Sequence, residues 1–296
     1  MGTFLSATAV TKVENGGYLI ATDQEGIFVK NDGDWRKALH LSNTRILDLK
    51  STGQFVYGVG DNGLFISSKN GGRSWSIKRF HTASSMWSVC CNEQGLVVTH
   101  SDKALYLSRD YGETWKVIDL FRFCKKPPSP RSLCLHRDEL FIGTKIHPQN
   151  GGIWRLHLKS GEMRRIKKES NSMIASLKVN EGVLLAACGS CRGKEAKIVF
   201  CELLQLNKPE MSDWETCISD SGVACYLDLT FSDDVLYTTS SKNKNGVGMI
   251  SRIFLKEKKI VPFGEVKGHG WRIVNQEEDY VVAGLYESYH YKKVVQ

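Results

Sequence analysis

The chain has 296 residues, 41% of them hydrophobic and 24% charged, values ordinary for a soluble globular protein. No run of eighteen apolar residues occurs, which excludes a hydrophobic helical membrane span. A formal net charge of +8 points toward an acidic partner.

The first ten residues, Met1-Gly-Thr-Phe-Leu-Ser-Ala-Thr-Ala-Val10, lack a basic stretch before a long apolar core, so no signal peptide is expected. Nine cysteines are present, an odd number. Cys90, Cys134, Cys201 and Cys225 sit inside apolar, strand-like runs. That usage predicts free, buried thiols in a reducing compartment, and the cytoplasm is the expected location.

Going along the chain, short apolar runs alternate with Gly, Asp and Asn turns, and no helical periodicity is sustained. Seven units follow one another: 7–39, 44–80, 86–121, 130–168, 173–219, 223–265 and 271–296. Their mean length is about 42 residues, the size of a four-stranded propeller blade. The last unit offers only three strands, and residues 2–6 are expected to close its edge. The prediction is a single all-β domain over 1–296, a seven-bladed β-propeller of four-stranded antiparallel blades. A six-bladed ring is the alternative.

Two units carry the same eight-residue device. Ser68-Lys-Asn-Gly-Gly-Arg-Ser-Trp75 and Ser108-Arg-Asp-Tyr-Gly-Glu-Thr-Trp115 lie forty residues apart, each between two apolar strands. A shortened copy, Asn31-Asp-Gly-Asp-Trp35, lies forty residues upstream. Asn70 or Asp110 would fold back onto backbone N–H groups of the turn. Gly72 and Gly112 would supply positive φ, and Trp75 and Trp115 would bury a ring between sheets. Ser68 and Ser108 open the turns.

This device is the Asp box, and the chain resembles the Asp-box (BNR) β-propellers. That superfamily includes sialidases, sortilin-like receptors and photosystem II assembly factors, and in it the box is structural. The resemblance implies the propeller fold. A sialidase would need three arginines on the substrate carboxylate, a tyrosine–glutamate pair and an F-R-I-P-type segment, and the chain lacks that segment. The non-catalytic photosystem assembly factors are the nearer likeness in size and blade number. Other glycosidases need two carboxyls about 5 Å apart; Asp48, Asp228 and Glu265 are candidates only by elimination. No serine-hydrolase, zinc-protease or phosphate-loop motif is present.

The expected functional surface is the face where the inner strands begin. The starts of those strands contribute Arg45, Trp87, Arg131, Tyr226, Trp271 and Arg272, side chains that recur at binding hot spots. The competing reading is that they plug a central channel, each guanidinium paired with a carbonyl. Longer loops in units four to six add Lys145, His147, Arg192, Lys194, Lys242 and Lys244. Cys188-Gly-Ser-Cys191 has zinc-knuckle spacing but no second pair, and His147 is the only conceivable third ligand. No catalytic residue, metal or cofactor is assigned. The expected function is a non-enzymatic interaction scaffold holding an acidic or extended protein segment within a larger protein assembly, with a nucleoprotein assembly as a variant of that reading. A carbohydrate-binding or glycosidase-like propeller is the alternative, and no membrane partner is expected.

Overall fold

The computed structural model describes residues 6–14, 16–30, 34–190, 196–207, 213–219, 222–232, 235–276, 279–284 and 289–291. These residues form an all-β chain without an α-helix, the architecture of a β-propeller. All but Ser6 of the expected closing segment 2–6 lies outside the described residues, as does most of the shortened device, residues 31–33.

The strands come as antiparallel meanders. The first holds β1 (Ala7–Lys12), β2 (Tyr18–Thr22), β3 (Gly26–Lys30) and β4 (Arg36–His40). The second holds β5 (Ile46–Thr52), β6 (Phe55–Gly60), β7 (Leu64–Ser68) and β8 (Ser76–Arg79). The third holds β9 (Val89–Cys91), β10 (Val97–His100), β11 (Ala104–Ser108) and β12 (Lys116–Asp119). The fourth holds β13 (Pro130–His136), β14 (Glu139–Thr144), β15 (Gly152–His157) and β16 (Met163–Lys168). Next come β17 (Met173–Asn180), β18 (Val183–Gly189), β19 (Lys197–Glu202) and β20 (Glu215–Ile218), then β21 (Tyr226–Ser232), β22 (Val235–Ser240), β23 (Val247–Phe254) and β24 (Lys259–Lys267). A parallel bridge between Ile218 and Lys259 joins β20 to β24, so these eight strands form one sheet. The last sheet holds β25 (Gly270–Gln276), β26 (Asp279–Gly284) and β27 (Tyr289–Tyr291).

Contacts divide the chain into two compact units, 1–120 with 266–296, and 121–265. In the first, β25, β1, β5 and β9 succeed one another as neighbours; in the second, β13, β17 and β21 do so. Successive sheets bury both faces against each other. In β7, Leu64 and Ile66 enter the core shared with the first meander, while Phe65 enters the core shared with the third. In β18, Leu184, Ala186 and Cys188 face one neighbour and Leu185 and Ala187 the other. Neighbouring residues therefore point into different cores, as the two-residue period of a strand requires. This is why the sequence shows apolar runs rather than apolar–polar alternation. The fourth strands β8 and β12 are mostly exposed.

One irregularity recurs. In β1, β5, β13, β17, β21 and β25 the pairing with the second strand skips one residue near the start. The skipped residues are Thr8, Leu47, Arg131, Ala175, Leu227 and Trp271. Such a bulge bends the strand and re-aims the side chains around it.

The two full devices have nearly the same hydrogen bonds. Ser68 Oγ accepts the N–H groups of Asn70 (3.3 Å) and Gly72 (2.8 Å), and Asn70 Oδ1 accepts the Ser74 N–H at 2.9 Å. Ser108 Oγ accepts from Asp110 (3.3 Å) and Gly112 (2.8 Å), and Asp110 Oδ1 accepts the Thr114 N–H at 3.0 Å. Trp75 Nε1 donates to the Gly72 carbonyl at 2.9 Å, and Trp115 Nε1 to the Gly112 carbonyl at 3.1 Å. Both glycines have φ of +88°. A Cβ on Gly72 would lie 3.0 Å from Leu19 Cδ1, and one on Gly112 would lie 3.1 Å from Phe65 Cζ. Each turn thus rests on the preceding sheet.

The Ser108 hydroxyl, followed by the Thr114 hydroxyl and N–H, holds the Asp110 carboxyl well below the usual carboxylate range. A depressed folded value means that Asp110 stabilises the fold above the ordinary aspartate range, and that this contribution is lost as pH falls. Asp110→Asn should therefore cost stability near neutrality, with the difference from wild type shrinking as pH drops toward and below the ordinary carboxylate range. Thermal melts across that range would check it. Gly112→Ala should destabilise by about 1 kcal/mol or more through strain at positive φ and contact with Phe65. A similar cost for Gly161→Ala, where a Cβ would meet nothing within 4 Å, would leave strain alone as the cause.

Candidate partner-binding face

In the first unit, the predicted residues gather around one buried ion pair. Arg272 follows the bulge of β25 and is 4% exposed. Its Nε lies 3.1 Å from Asp48 Oδ1, Nη2 donates to the Trp87 carbonyl at 3.2 Å, and Nη1 donates to the Trp271 carbonyl at 3.2 Å. Asp48 holds the corresponding place after the bulge of β5, and its Oδ2 accepts the Val89 N–H at 3.0 Å. One guanidinium thus ties together β25, β5 and the start of β9. Burial by itself would push the Asp48 carboxyl up. Lys50, Arg272 and the Val89 N–H together outweigh it and hold the group below its ordinary value.

On this base stand two aromatic side chains. The Trp87 and Trp271 ring centroids are 6.1 Å apart at 50°, and His269 lies edge-on to Trp271 at 6.5 Å. All three are partly exposed. Arg45 is exposed and grips Asp61 through Nε (2.7 Å) and Nη2 (3.4 Å), while Asp61 accepts the Ser85 hydroxyl at 2.7 Å. Arg45, Trp87, Trp271 and Arg272 therefore belong to the same unit, but they play different parts. Arg272 is internal; the tryptophans, His269 and Arg45 offer surface.

In the second unit, Arg131 (3% exposed) and Tyr226 (0%) are buried, unlike the exposed rim expected for them. Arg131 is itself the bulge residue of β13, and Tyr226 precedes the bulge of β21. The residues after those bulges also make buried polar contacts. Ser176 donates to Asp228 Oδ1 at 2.8 Å, and Ser132 donates to the Ile174 carbonyl at 2.8 Å. Asp48 is bound to Arg272 and Asp228 to Ser176, so both carboxylates have structural work in the fold. Glu265 lies in the outer strand β24.

Of the loop residues, Lys242 and Lys244 are exposed and Lys145 is partly buried. His147 is engaged by its own loop, where Nδ1 accepts the N–H groups of Asn150 (2.9 Å) and Gln149 (3.3 Å). Arg192, Lys194 and Cys191 lie outside the described residues. Cys188 is not a loop residue: it lies in β18 and is fully buried, and burial pushes its thiol far above the ordinary range. His269 and Asp48 were the residues missed as partners of Trp271 and Arg272. His269 lay one position before the aligned segment, and Asp48 reads only as one acid in an apolar strand.

The Arg272–Asp48 pair should be strongly coupled. Arg272→Ala or Asp48→Ala alone leaves a buried charge behind and should cost about 3–5 kcal/mol. The double variant should cost clearly less than the sum of the two, and a double-mutant cycle by denaturant unfolding would measure the difference. Additive losses would mean that the pair is not coupled.

No protein-family model matches the chain. Among solved structures it is similar to YCF48 from Cyanidioschyzon merolae, with a TM-score of 0.72 and 14% identity over 97% of this chain and 96% of that one. It is also similar to a structure described as "YCF48 bound to D1 peptide", with a TM-score of 0.70 and 14% identity over 100% and 94% of the two chains. A WD40 protein, in "Crystal structure of RRP9 WD40 repeats", matches with a TM-score of 0.69 and 8% identity over 97% and 94%. At these identities the likeness is one of fold. A nearer relative is the "Uncharacterized protein YkuO" of Bacillus subtilis (strain 168), 38% identical over 283 residues, which span 95% of this chain and 94% of that one. Sharing that identity over nearly the full length of both chains, the chain belongs to the family of YkuO.

Proposed function

We propose that the chain is a non-enzymatic interaction scaffold, a seven-bladed propeller of the Asp-box kind that holds an acidic or extended segment of a partner protein. The observation that carries this reading is the Trp87–Trp271 pair, with His269 beside it, set on the buried Arg272–Asp48 base. Partly exposed tryptophans on a fixed support offer contact area with little side-chain ordering on binding. Arg45 adds a cation at the same surface, although Asp61 already neutralises part of its charge. A propeller of the same fold, YCF48, is described in complex with the D1 peptide, which lends the peptide-binding reading a precedent. The device geometry around Ser68 and Ser108 supports the Asp-box assignment. The odd cysteine count, with Cys90, Cys134, Cys188, Cys201, Cys217 and Cys225 buried, favours a reducing compartment, the cytoplasm.

Affinity capture from native lysate would test the reading, with wild type compared against Trp87→Ala/Trp271→Ala and the eluates read by mass spectrometry and for nucleic acid. Arg131 and Arg272 are left intact because both are buried. A stoichiometric protein retained by wild type and lost by the folded variant is the expected result. Equal capture by both would move the site elsewhere. An eluate without protein would overturn the scaffold reading and bring glycan screening forward.

A further inference from the structure

A second surface, in the other unit, differs in chemistry from the tryptophan pair. Three segments, 121–129, 145–150 and 163–168, contain eight Lys and Arg residues and no Asp or Glu. Two of the eight are engaged elsewhere, Arg164 on the Leu206 carbonyl and Lys167 over the Trp214 ring, which leaves six. The segments are laced together. The Lys145 N–H donates to the Ser129 carbonyl (2.9 Å), Asn150 Nδ2 to the Lys126 carbonyl (2.8 Å), and Arg165 Nη1 to the Gln149 carbonyl (2.7 Å). Trp154 Nε1 donates to the Asn150 carbonyl at 3.1 Å. Of the carboxylates of the same sheet, Asp138 is paired with Lys159 and Glu139 with Arg155, while Glu162 is exposed and lines a pocket with Glu139 and Arg164. Glu169, which follows the third segment, is paired with Lys197.

Two large apolar side chains project from this basic surface. Phe123 is 57% exposed and Ile146 is 45% exposed. Phe123 leans on Trp154 at 5.7 Å, and Arg165 caps the same indole at 5.5 Å, so Phe123 is held rather than loose. Lys125 and Lys126, directly after Phe123, are exposed, as is Lys168; Lys145 precedes Ile146 and is partly exposed. A partner made only of phosphates would use the cations and leave Phe123 and Ile146 in water. Stacking of successive nucleobases calls for several open rings, and here Trp154 is 7% exposed, leaving Phe123 as the open one of the pair. The interface of an anionic bilayer uses both features, since lysines meet the headgroups while an apolar side chain enters beneath them.

We infer that this surface, built on Phe123, Lys125, Lys126, Lys145 and Ile146, docks the chain peripherally on anionic phospholipid. This reverses the expectation from sequence that no membrane partner is involved. It is independent of the tryptophan site, and the two devices would let a scaffold hold a protein segment while resting on a lipid surface.

Flotation of the full chain with vesicles of phosphatidylcholine, with and without phosphatidylglycerol, would test the inference at low and high salt. Binding should require phosphatidylglycerol and weaken with salt. Lys125→Glu/Lys126→Glu should lower the affinity by at least about twenty-fold, since each cation near the surface is worth about five-fold. Phe123→Ala should lower it by about ten-fold while leaving the salt dependence unchanged. All these residues are at the surface, and unchanged thermal melts would confirm folding. Trp87→Ala/Trp271→Ala should float like wild type, which separates this inference from the proposed protein site. Absence of binding, equal binding to neutral vesicles, or indifference to Phe123→Ala and Ile146→Ala would overturn it. So would tighter binding of a single-stranded RNA oligonucleotide, abolished by the same lysine substitutions.

Discussion

The sheets that hold β7 and β18 are covered on both faces, and much of the structure follows from that constraint. Phe65 and Ile66 are neighbours in β7 yet serve different cores, as do Leu184 and Leu185 in β18. A sheet of this kind has no solvated face, so it is stable only between two others. The turns of the two eight-residue devices serve the same need. Gly72 lies against Leu19 and Gly112 against Phe65, so each turn closes its own hairpin and is also fitted to the sheet before it. The serine and the Asn or Asp spend their hydrogen bonds inside the turn, which leaves the glycine and the indole to make the inter-sheet contact.

The same constraint explains why charge is concentrated at strand starts. Where the first strands begin, the backbone bulges, and the residue after the bulge is repeatedly polar: Asp48, Ser132, Ser176, Asp228 and Arg272. Buried groups of this sort must find partners, and those with described contacts do so between first strands of successive meanders or between sheets, Ser176 with Asp228 and Arg272 with Asp48. An ion pair so deeply buried adds little net stability compared with apolar packing, because desolvation offsets the attraction. Its distinguishing effect is geometric. The guanidinium fixes the Trp87 and Trp271 carbonyls, and so fixes the backbone from which both indoles project.

Much of the fold was legible in the sequence because it repeats. Trp75 and Trp115 keep a forty-residue spacing, and an isolated apolar run such as Gly63-Leu-Phe-Ile66 gains meaning from its copies. The site was less legible, for a physical reason. Alignment by repeat places Arg131, Tyr226 and Arg272 at similar positions, but a one-residue bulge decides which side chain turns inward, and nothing in the residue types marks the bulge. Arg131 is the bulge residue, Arg272 follows one and Tyr226 precedes one. Cys188 shows a related effect: the strand β18 runs on to Gly189, so the first cysteine of the Cys188–Cys191 spacing lies in the core. Phe123 and Ile146 escaped notice because exposure of an apolar residue has no sequence signature; only the fold shows that neither is covered.

Placing the two surfaces side by side in chemical terms clarifies what each is suited to. At the tryptophan site the strongest charges are spent internally, Arg272 on Asp48 and Arg45 on Asp61, so recognition there would rest on aromatic contact and shape. At the lysine-rich surface the cations have no acidic residue within their own three segments, so attraction there would act over about a Debye length and would fall with salt. Short-range, specific contact and long-range, unspecific attraction are separable functions, and a scaffold gains from keeping them on different residues. The lysines raise the local concentration of the chain at a surface without altering which segment the tryptophans select. The reverse arrangement, with charge and aromatic contact on the same few residues, would make selectivity depend on ionic strength.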